Sequence, residues 1–240
     1  MKDIAYYAQL MGIELDENQL RQFETYMNMV IEKNKVMNLT AITEPEEFSL
    51  IHFADSLSLI PAVKAAAPLT KENASVIDVG TGAGFPAIPL KIAFPNIELT
   101  LLDSLNKRVT FLDSVVEELN LKKVTTIHAR AEEGGRQKNL RDNFDFVLSR
   151  AVANLSVLTE YCLPYAKVGG LFISYKSGDI EEELKEAKHA ISVLGGKLED
   201  VIHFQLADTD INRSFVLIRK EKATPKAYPR KAGTAKKSPL

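Results

Sequence analysis

Val76-Ile77-Asp78-Val79-Gly80-Thr81-Gly82-Ala83-Gly84-Phe85-Pro86 decides the fold class of this 240-residue chain. An apolar run suited to a buried parallel strand ends in an acidic residue. Three glycines follow at alternate positions, and then a segment compatible with a helix. A second strand-like run, Ile97 to Leu102, ends in Asp103. This is the layout of an open α/β sheet that holds an adenosine-containing cofactor at the carboxyl ends of its strands.

The glycine spacing separates two kinds of cofactor. A dinucleotide site needs G-x-G-x-x-G, with a third glycine for close helix–strand packing and a helix N-terminus facing a pyrophosphate. Counted from Gly80 and Gly82, that glycine falls at Phe85. The pattern here is Asp-x-Gly-x-Gly-x-Gly. S-adenosylmethionine carries a cationic sulfonium and an amino-acid head in place of a pyrophosphate. A carboxylate at Asp78 and bare backbone under the methionine part suit that chemistry. Asp103 stands about twenty residues on, where an acid accepts hydrogen bonds from ribose hydroxyls. The alternative role for Asp103 is to cap the helix that follows it. A methyltransferase-type site is the reading.

Bulk composition agrees with one soluble enzyme domain or slightly more. Hydrophobic residues make up 45% and charged residues 26%, both ordinary for a globular chain. A net charge of −2 gives no global pull toward nucleic acid, so local charge has to be examined. The single cysteine, Cys162, excludes an internal disulfide and a cysteine-based zinc site and fits a reducing, cytoplasmic setting. No metal site is expected. The first residues carry Asp3 and no long apolar core, so no signal peptide is read there. No run approaches the ~20 apolar residues that span a bilayer, and no membrane partner is expected.

The first seventy residues read as helical, and the rest alternates. Leu20, Phe23, Met27, Val30 and Ile31 form one apolar stripe, with Asp16 as N-cap and Gln19 as its capping-box partner. A second helix is expected from Pro45 to Leu59, ended by Pro61. From Ser75 the spacing predicts strands at Val76–Val79, Ile97–Leu102, Val124–His128, Phe144–Leu148 and Gly170–Tyr175. Helices fit Ala87–Phe94, Lys107–Asn120, Leu155–Tyr165 and Ile180–Leu194. The last two strands, near Leu198–Leu206 and Ser214–Lys220, are joined by too few residues for a parallel crossover, so they should be antiparallel. The expected division is residues 1–70 as a helical extension, 71–220 as the catalytic domain and 221–240 as a basic arm.

Several blocks together resemble one family. Asp78–Leu90 (DVGTGAGFPAIPL), Leu101-Leu102-Asp103-Ser104 with Lys107-Arg108, Arg130-Ala131-Glu132 and Ser149-Arg150-Ala151 resemble the GidB/RsmG family. So do Asn38-Leu39-Thr40 and His52-Phe53-Ala54-Asp55-Ser56. The glycine motif is shared widely among methyltransferases. Phe-Pro-x-Ile-Pro directly after it and the Ser-Arg-Ala block are far more specific. The resemblance spans about Leu20 to Arg219. It implies a class I S-adenosylmethionine-dependent methyltransferase: a Rossmann-like, mostly parallel seven-stranded sheet ending in an antiparallel hairpin, plus a small helical amino-terminal extension. It further implies methylation of N7 of one guanine in 16S ribosomal RNA, with the RNA, the small ribosomal subunit or an assembly intermediate as partner. A monomer is the default.

The residues at the strand ends are compatible with that reaction. Amine methylation of adenine typically uses an Asn/Asp-Pro-Pro-Tyr/Phe block after the fourth strand, where this chain has Ser149-Arg150-Ala151-Val152. Cytosine C5 methylation needs a cysteine nucleophile, and Cys162 lies within an apolar helical segment. Guanine N7 needs neither, because its lone pair is free at neutral pH and the enzyme mainly has to orient it. Asp78, Gly80, Thr81, Gly82, Gly84 and Phe85 are expected around the cofactor's methionine and ribose, and Asp103 at the ribose. The resemblance places Ala131 and Glu132 at the adenine edge and Arg150 on the cofactor or substrate side. Arg150 and Lys176 are the candidate catalytic residues, Lys176 for the RNA backbone or guanine O6. Arg130 reads equally as a solvated charge, His52 reads as a satisfied helix histidine rather than a catalytic group, and Asn38 either closes its helix or lies over the pocket.

The tail carries its own signal. Arg219, Lys220, Lys222, Lys226, Arg230, Lys231, Lys236 and Lys237 are accompanied by only one acid, Glu221. Pro225, Pro229 and Gly233 favour an extended arm. Lys222, Lys226, Tyr228, Arg230 and Lys231 are the candidate RNA contacts, cations for phosphates and one ring for stacking. Removing residues beyond Lys222 is expected to weaken RNA binding more than cofactor binding. The rival functions are methyl transfer to transfer RNA, protein or a small molecule, and a non-catalytic cofactor-binding regulator.

Overall fold

The computed structural model describes residues 2–71, 73–150, 153–178 and 180–240. At its amino end are α1 (Ile4–Leu10) and α2 (Glu17–Met37). Next come α3 (Pro45–Phe48), a π-helical turn at Ser49–Ala54, and the short helices α4 (Asp55–Leu57), α5 (Leu59–Ala62) and α6 (Pro68–Lys71). The alternating part follows as β1 (Ser75–Val79), α7 (Ala87–Ala93), β2 (Glu98–Asp103), α8 (Asn106–Glu118) and β3 (Val124–His128). It continues with α9 (Ala131–Gly134), β4 (Phe144–Arg150), α10 (Leu155–Cys162), β5 (Ala166–Ser177), α11 (Glu181–Val193), β6 (Gly196–Gln205), β7 (Asn212–Lys220) and α12 (Thr234–Lys237).

The seven strands form one sheet in the order β3-β2-β1-β4-β5-β7-β6. The first five are parallel, and β7 runs antiparallel to both β5 and β6, as the short link between the last two strands required. This is the class I S-adenosylmethionine-dependent methyltransferase fold. Strand order reverses between β1 and β4, so the carboxyl ends of β1, β2, β3, β4 and β5 open onto one edge. The start of β7 reaches the same edge, with Ser177 opposite Arg213.

The amino-terminal helices share a core with one face of the sheet: Phe23, Tyr26, Val30 and Phe53 join Ile88, Leu112, Leu148 and Phe215 in one cluster. Local chemistry explains the seat of α2. Asp16 and Gln19 form the reciprocal capping box, each bond 2.8 Å long. Gln19 Nε2 also donates to the carbonyls of Ile92 and Ala93, and Gln22 Nε2 to Leu119 O. One helix thus satisfies the orphan carbonyls ending α7 and α8. Asn38 closes α2 with a left-handed φ of 49°, which settles its role as a C-cap.

Two details depart from the sequence expectation. Pro61 does not end the second helix. The helix breaks at Ser58 and restarts, and Pro61 sits in the first turn of α5, where no amide donor is needed. The other is α1, which was not anticipated. Its signals were Asp3, whose side chain accepts from the Tyr6 amide, and buried Ile4, Tyr7 and Ala8 at helical spacing.

Candidate functional site

The turn after β1 is tied to β2, since the amides of Gly80 and Thr81 both donate to Leu102 O, at 2.8 and 3.2 Å. Gly80, Gly82 and Gly84 have φ of 75°, 64° and 110°, a region that penalises any residue with a Cβ. The three glycines nevertheless serve different ends. A Cβ at Gly82 would meet open space. A Cβ at Gly84 would come within 2.6 Å of Ile88 Cγ1 and 2.7 Å of Tyr26 Oη. Gly84 is therefore a packing glycine against α2, α7 and α8. Tyr26 Oη itself donates to Ala83 O at 2.7 Å, which clamps the turn from behind.

Two carboxylates flank this turn. Asp78 is fully buried; its Oδ2 accepts from Thr81 Oγ1 at 2.8 Å, while Oδ1 has no hydrogen-bond partner. Burial pushes the carboxyl up to about 7, against the pull of the Thr81 hydroxyl and the Arg150 charge. Asp103 ends β2 with Oδ2 accepting from the Gly82 amide at 3.0 Å and meeting Arg108 at 3.4 Å, while Oδ1 accepts from Leu105 N at 2.8 Å. It both orders the approach to α8 and holds the glycine turn.

A cavity of about 640 Å³ opens beside the turn. Gly80 and Leu102 line it from the sheet, Ala131 and Glu132 from α9, and Val157 and Tyr161 from α10. Gly233, Lys236 and Lys237 of the tail also line it. The residues fit S-adenosylmethionine: an orphaned buried carboxylate oxygen for a cationic head, open backbone at Gly82, a second carboxylate for hydroxyl donors, and an apolar floor for a base. Of the expected set, Gly80, Ala131 and Glu132 line the cavity, and Asp78, Thr81, Gly82 and Asp103 build the turn at its edge.

Phe85 and Arg150 are not among the residues lining that cavity. Phe85 is buried with His52 stacked on it, centroids 4.6 Å apart and planes at 11°, and Arg150 Cζ lies 5.1 Å from its ring centre. A second cavity, about 230 Å³, is lined by His52, Asp55, Arg150, Tyr175, Lys176 and Arg213 among others. Arg150 Nη1 reaches Asp55 Oδ2 at 3.1 Å and Ile51 O at 3.3 Å, and Nη2 reaches His52 Nδ1 at 3.3 Å. Asp55 also accepts from Arg213 Nε at 2.8 Å. Burial first, and the Arg150 charge second, bring His52 down to about 3, so its ring is neutral. Arginine has only donors, so Nδ1 accepts and the proton sits on Nε2, which donates to Thr40 Oγ1 at 2.7 Å. The π-helical turn supplies both Ile51 O and His52, a widened turn at a functional edge.

One hydrogen bond joins the linings of the two cavities. Lys176 lines the smaller one, and its Nζ donates to the carbonyl of Ala153, which lines the larger, at 2.8 Å. The same ammonium pairs with Glu183 at 2.6 Å. Ala151, the last residue of the Ser-Arg-Ala block, lies outside the described residues. Cys162 is buried and its thiol is pushed well up by that burial, which leaves no thiolate nucleophile. Among the described residues no group of three His, Cys, Asp or Glu side chains is placed to hold a metal, and no single helix is long and apolar enough to cross a membrane.

The tail departs from the expected extended arm. It folds back onto the body and ends in the short α12. Arg230 makes a bidentate ion pair with Glu160, whose side chain is 1% exposed. Arg141 donates to the carbonyls of Thr224, Pro225 and Tyr228, and Tyr228 packs on the second core cluster. Arg219 pairs with Glu199, and buried Lys220 with Asp142 and Leu163 O. Lys222, Lys226 and Lys231 remain exposed. The cause is partnering that spacing along the chain cannot display: Glu160 and Arg141 lie far upstream of the cations and carbonyls they hold.

Comparison with known proteins places this geometry. The model of the GidB family, described as rRNA small subunit methyltransferase G, matches residues 19–212. The protein of Lachnoclostridium phytofermentans called Ribosomal RNA small subunit methyltransferase G is 52% identical over 230 residues, 96% of this chain and 93% of its own. The Lactobacillus johnsonii protein of the same name is 51% identical over 239 residues, 100% of this chain and 97% of its own. Among solved structures, Aeropyrum pernix fibrillarin in complex with natively bound S-adenosyl-L-methionine has a TM-score of 0.52 at 15% identity, over 69% of this chain and 76% of that one. That likeness concerns the fold alone.

Proposed function

The chain belongs to the GidB family of small-subunit ribosomal RNA methyltransferases, and from that premise we propose how its two cavities divide the work of methylating N7 of one guanine in 16S ribosomal RNA. The chain is an S-adenosylmethionine-dependent ribosomal RNA methyltransferase. The cofactor supplies an electrophilic methyl group on a sulfonium. Asp78 and the backbone at Gly80 and Gly82 receive its cationic amino-acid end, Asp103 its ribose, and Ala131 with Glu132 the rim around its base. The supporting feature is the orphaned Asp78 Oδ1 beside a turn that leaves open backbone.

The smaller cavity is the acceptor side. N7 and O6 of guanine are both hydrogen-bond acceptors and attract donors such as Arg and Lys. Arg150 and Lys176 present those donors, held in place before the base arrives by Asp55, His52, Ile51 O, Glu183 and Ala153 O. N7 carries no proton at neutral pH, so no general base is required. His52, neutral with its ring on Phe85, orients Arg150 and takes no proton. Catalysis is then a matter of alignment and preorganised charge. The observation that carries this reading is the hydrogen bond by which Lys176, lining the smaller cavity, holds the carbonyl of Ala153, lining the larger.

RNA contact outside the cavity falls to Lys222, Lys226 and Lys231, the exposed cations of the tail, with the RNA or a small-subunit particle as partner in the cytoplasm. Arg230 and Tyr228 are withdrawn from that role by their packing. The test is methyl transfer from labelled S-adenosylmethionine to small-subunit RNA from cells lacking this gene, read by nucleoside digestion and mass spectrometry. One labelled 7-methylguanosine is expected. Cofactor binding with no label in RNA, or label on another nucleoside, would overturn the acceptor assignment.

A further inference from the structure

We propose that the carboxyl-terminal segment Gly233–Pro239 is a wall of the cofactor site, a strap that has to swing aside for S-adenosylmethionine to enter and its product to leave. This rests on the cofactor reading above. Nothing in the family resemblance assigns these residues to the cofactor.

Geometry carries the inference. Gly233, Lys236, Lys237 and Pro239 line the 640 Å³ cavity together with Gly80 and Leu102 of the sheet edge. The Gly233 amide donates to Glu132 Oε1 at 2.8 Å, which ties the strap to α9, the rim of the same cavity. Ala235 is buried, while the Lys236 and Lys237 side chains are exposed. Long lysine stems cover apolar surface with their methylenes and keep their charge in water. Such a wall covers a flat base without placing an ammonium against it.

The attachment is uneven, and that unevenness is what allows movement. The root is held hard. The Arg230 amide and guanidinium both bond Glu160, and four carbonyl contacts from Arg141 and Arg136 fix the backbone between Thr224 and Tyr228. Breaking a buried pair of this kind is strongly unfavourable. Beyond the root, the hydrogen bonds to the body are few, Gly233 N to Glu132 and Arg230 Nη2 to Ser238 O at 2.9 Å, with buried Ala235 and the packing of Leu240 as the apolar contacts. Gly233 has a φ of 81° and nothing within 4 Å of a would-be Cβ, so it supplies the bend at the boundary between firm root and light tip. Segments held by few exposed bonds are those that open at low cost.

The consequence reverses the expectation drawn from charge alone. Disturbing the segment beyond Ala232 should weaken cofactor binding more than RNA binding. The intact chain provides the primary test. Trypsin cutting after Lys236 and Lys237 is followed with and without saturating S-adenosylhomocysteine, alongside calorimetric binding of that ligand to the wild type and to Gly233→Pro. Proline cannot take a φ of 81° and has no amide for Glu132. Cleavage should slow with ligand present, and Gly233→Pro should bind about tenfold more weakly and release the ligand faster, with 16S RNA affinity unchanged. Equal cleavage with and without ligand, together with unchanged ligand affinity in Gly233→Pro, would overturn the strap. Failure of the wild-type chain to bind the ligand at all would instead overturn the cofactor reading on which it rests.

Discussion

Arg150 at the end of β4 and Asp55 at the start of α4 meet at 3.1 Å, although they are 95 residues apart in the chain. Asp55 also holds Arg213, the second residue of β7. One buried carboxylate therefore fixes two guanidinium groups at the sheet edge, and both line the smaller cavity. The amino-terminal helices thus do more than cover the sheet: they supply the counter-charge that orients Arg150.

Arg150→Lys keeps the charge but loses the fork that reaches Asp55, Ile51 O and His52 together. Methyl transfer to RNA should fall by about tenfold to a hundredfold, the scale of a lost positioning contact, while S-adenosylhomocysteine affinity stays within about twofold. Single-turnover methylation and calorimetry on one protein preparation read both. A parallel loss of cofactor affinity would move Arg150 to the cofactor side.

Asp78 predicts a pH dependence of cofactor affinity. Its carboxyl stands at about 7 because of burial, and a cationic ligand requires it ionised. At pH 6 only about one site in ten is ionised, so affinity should rise about tenfold between pH 6 and pH 8 and then level off. The same shift sets stability. The folded value lies above the unfolded 3.8, so this group's contribution is full below about pH 4 and is lost as pH rises through 7. Asp78→Asn should therefore raise the Tm of the ligand-free protein at pH 8 while flattening the affinity profile. An unchanged profile in that variant would remove Asp78 from the cofactor site.

The contrast between these residues shows what a linear sequence can carry. Asp78, the glycine turn and Asp103 lie on consecutive elements, where strand period and glycine spacing speak directly, and the last hairpin follows from a link too short for a crossover. The capping box at Asp16 and Gln19 is equally local. The acceptor cavity was not legible in this way. Asp55, Arg150 and Arg213 come together only after β4 and β7 flank β5, and the π-helical turn that delivers His52 has no propensity signature. The tail was misread for a related reason: Pro, Gly and Lys suggest a free arm unless it is known that Glu160 stands buried and waiting for Arg230.

His52 gives a second pH test, with the opposite sign. Its folded value of about 3 lies below the unfolded value near 6.5, so the neutral ring is the form the fold accepts. Its contribution is full above pH 6.5 and is lost as pH falls toward 3, with a slope of at most ~1.4 kcal/mol per pH unit. Denaturant unfolding of the wild type and His52→Asn between pH 4 and pH 7 measures the difference, which cancels the titration of other groups. The variant should lose less stability on acidification. Equal slopes would mean that His52 protonates freely in the fold.

Gly82 and Gly84 separate folding from binding two residues apart. Both hold left-handed backbone, so alanine at either costs about 1 kcal/mol in conformation. At Gly82 that is the whole structural cost, because the added methyl meets no atom within 4 Å. At Gly84 the methyl meets Ile88 at 2.6 Å and Tyr26 Oη at 2.7 Å, and overpacking adds about 1–3 kcal/mol. Gly84→Ala should lower Tm by several degrees more than Gly82→Ala. Gly82→Ala should instead weaken S-adenosylhomocysteine binding, since its methyl points into space left for a ligand and its amide is the donor that holds Asp103. Thermal melts and calorimetry on the two variants form the comparison. If Gly82→Ala keeps full affinity while Gly84→Ala loses it without a fall in Tm, the cofactor lies against the second glycine and the turn has been assigned the wrong way round.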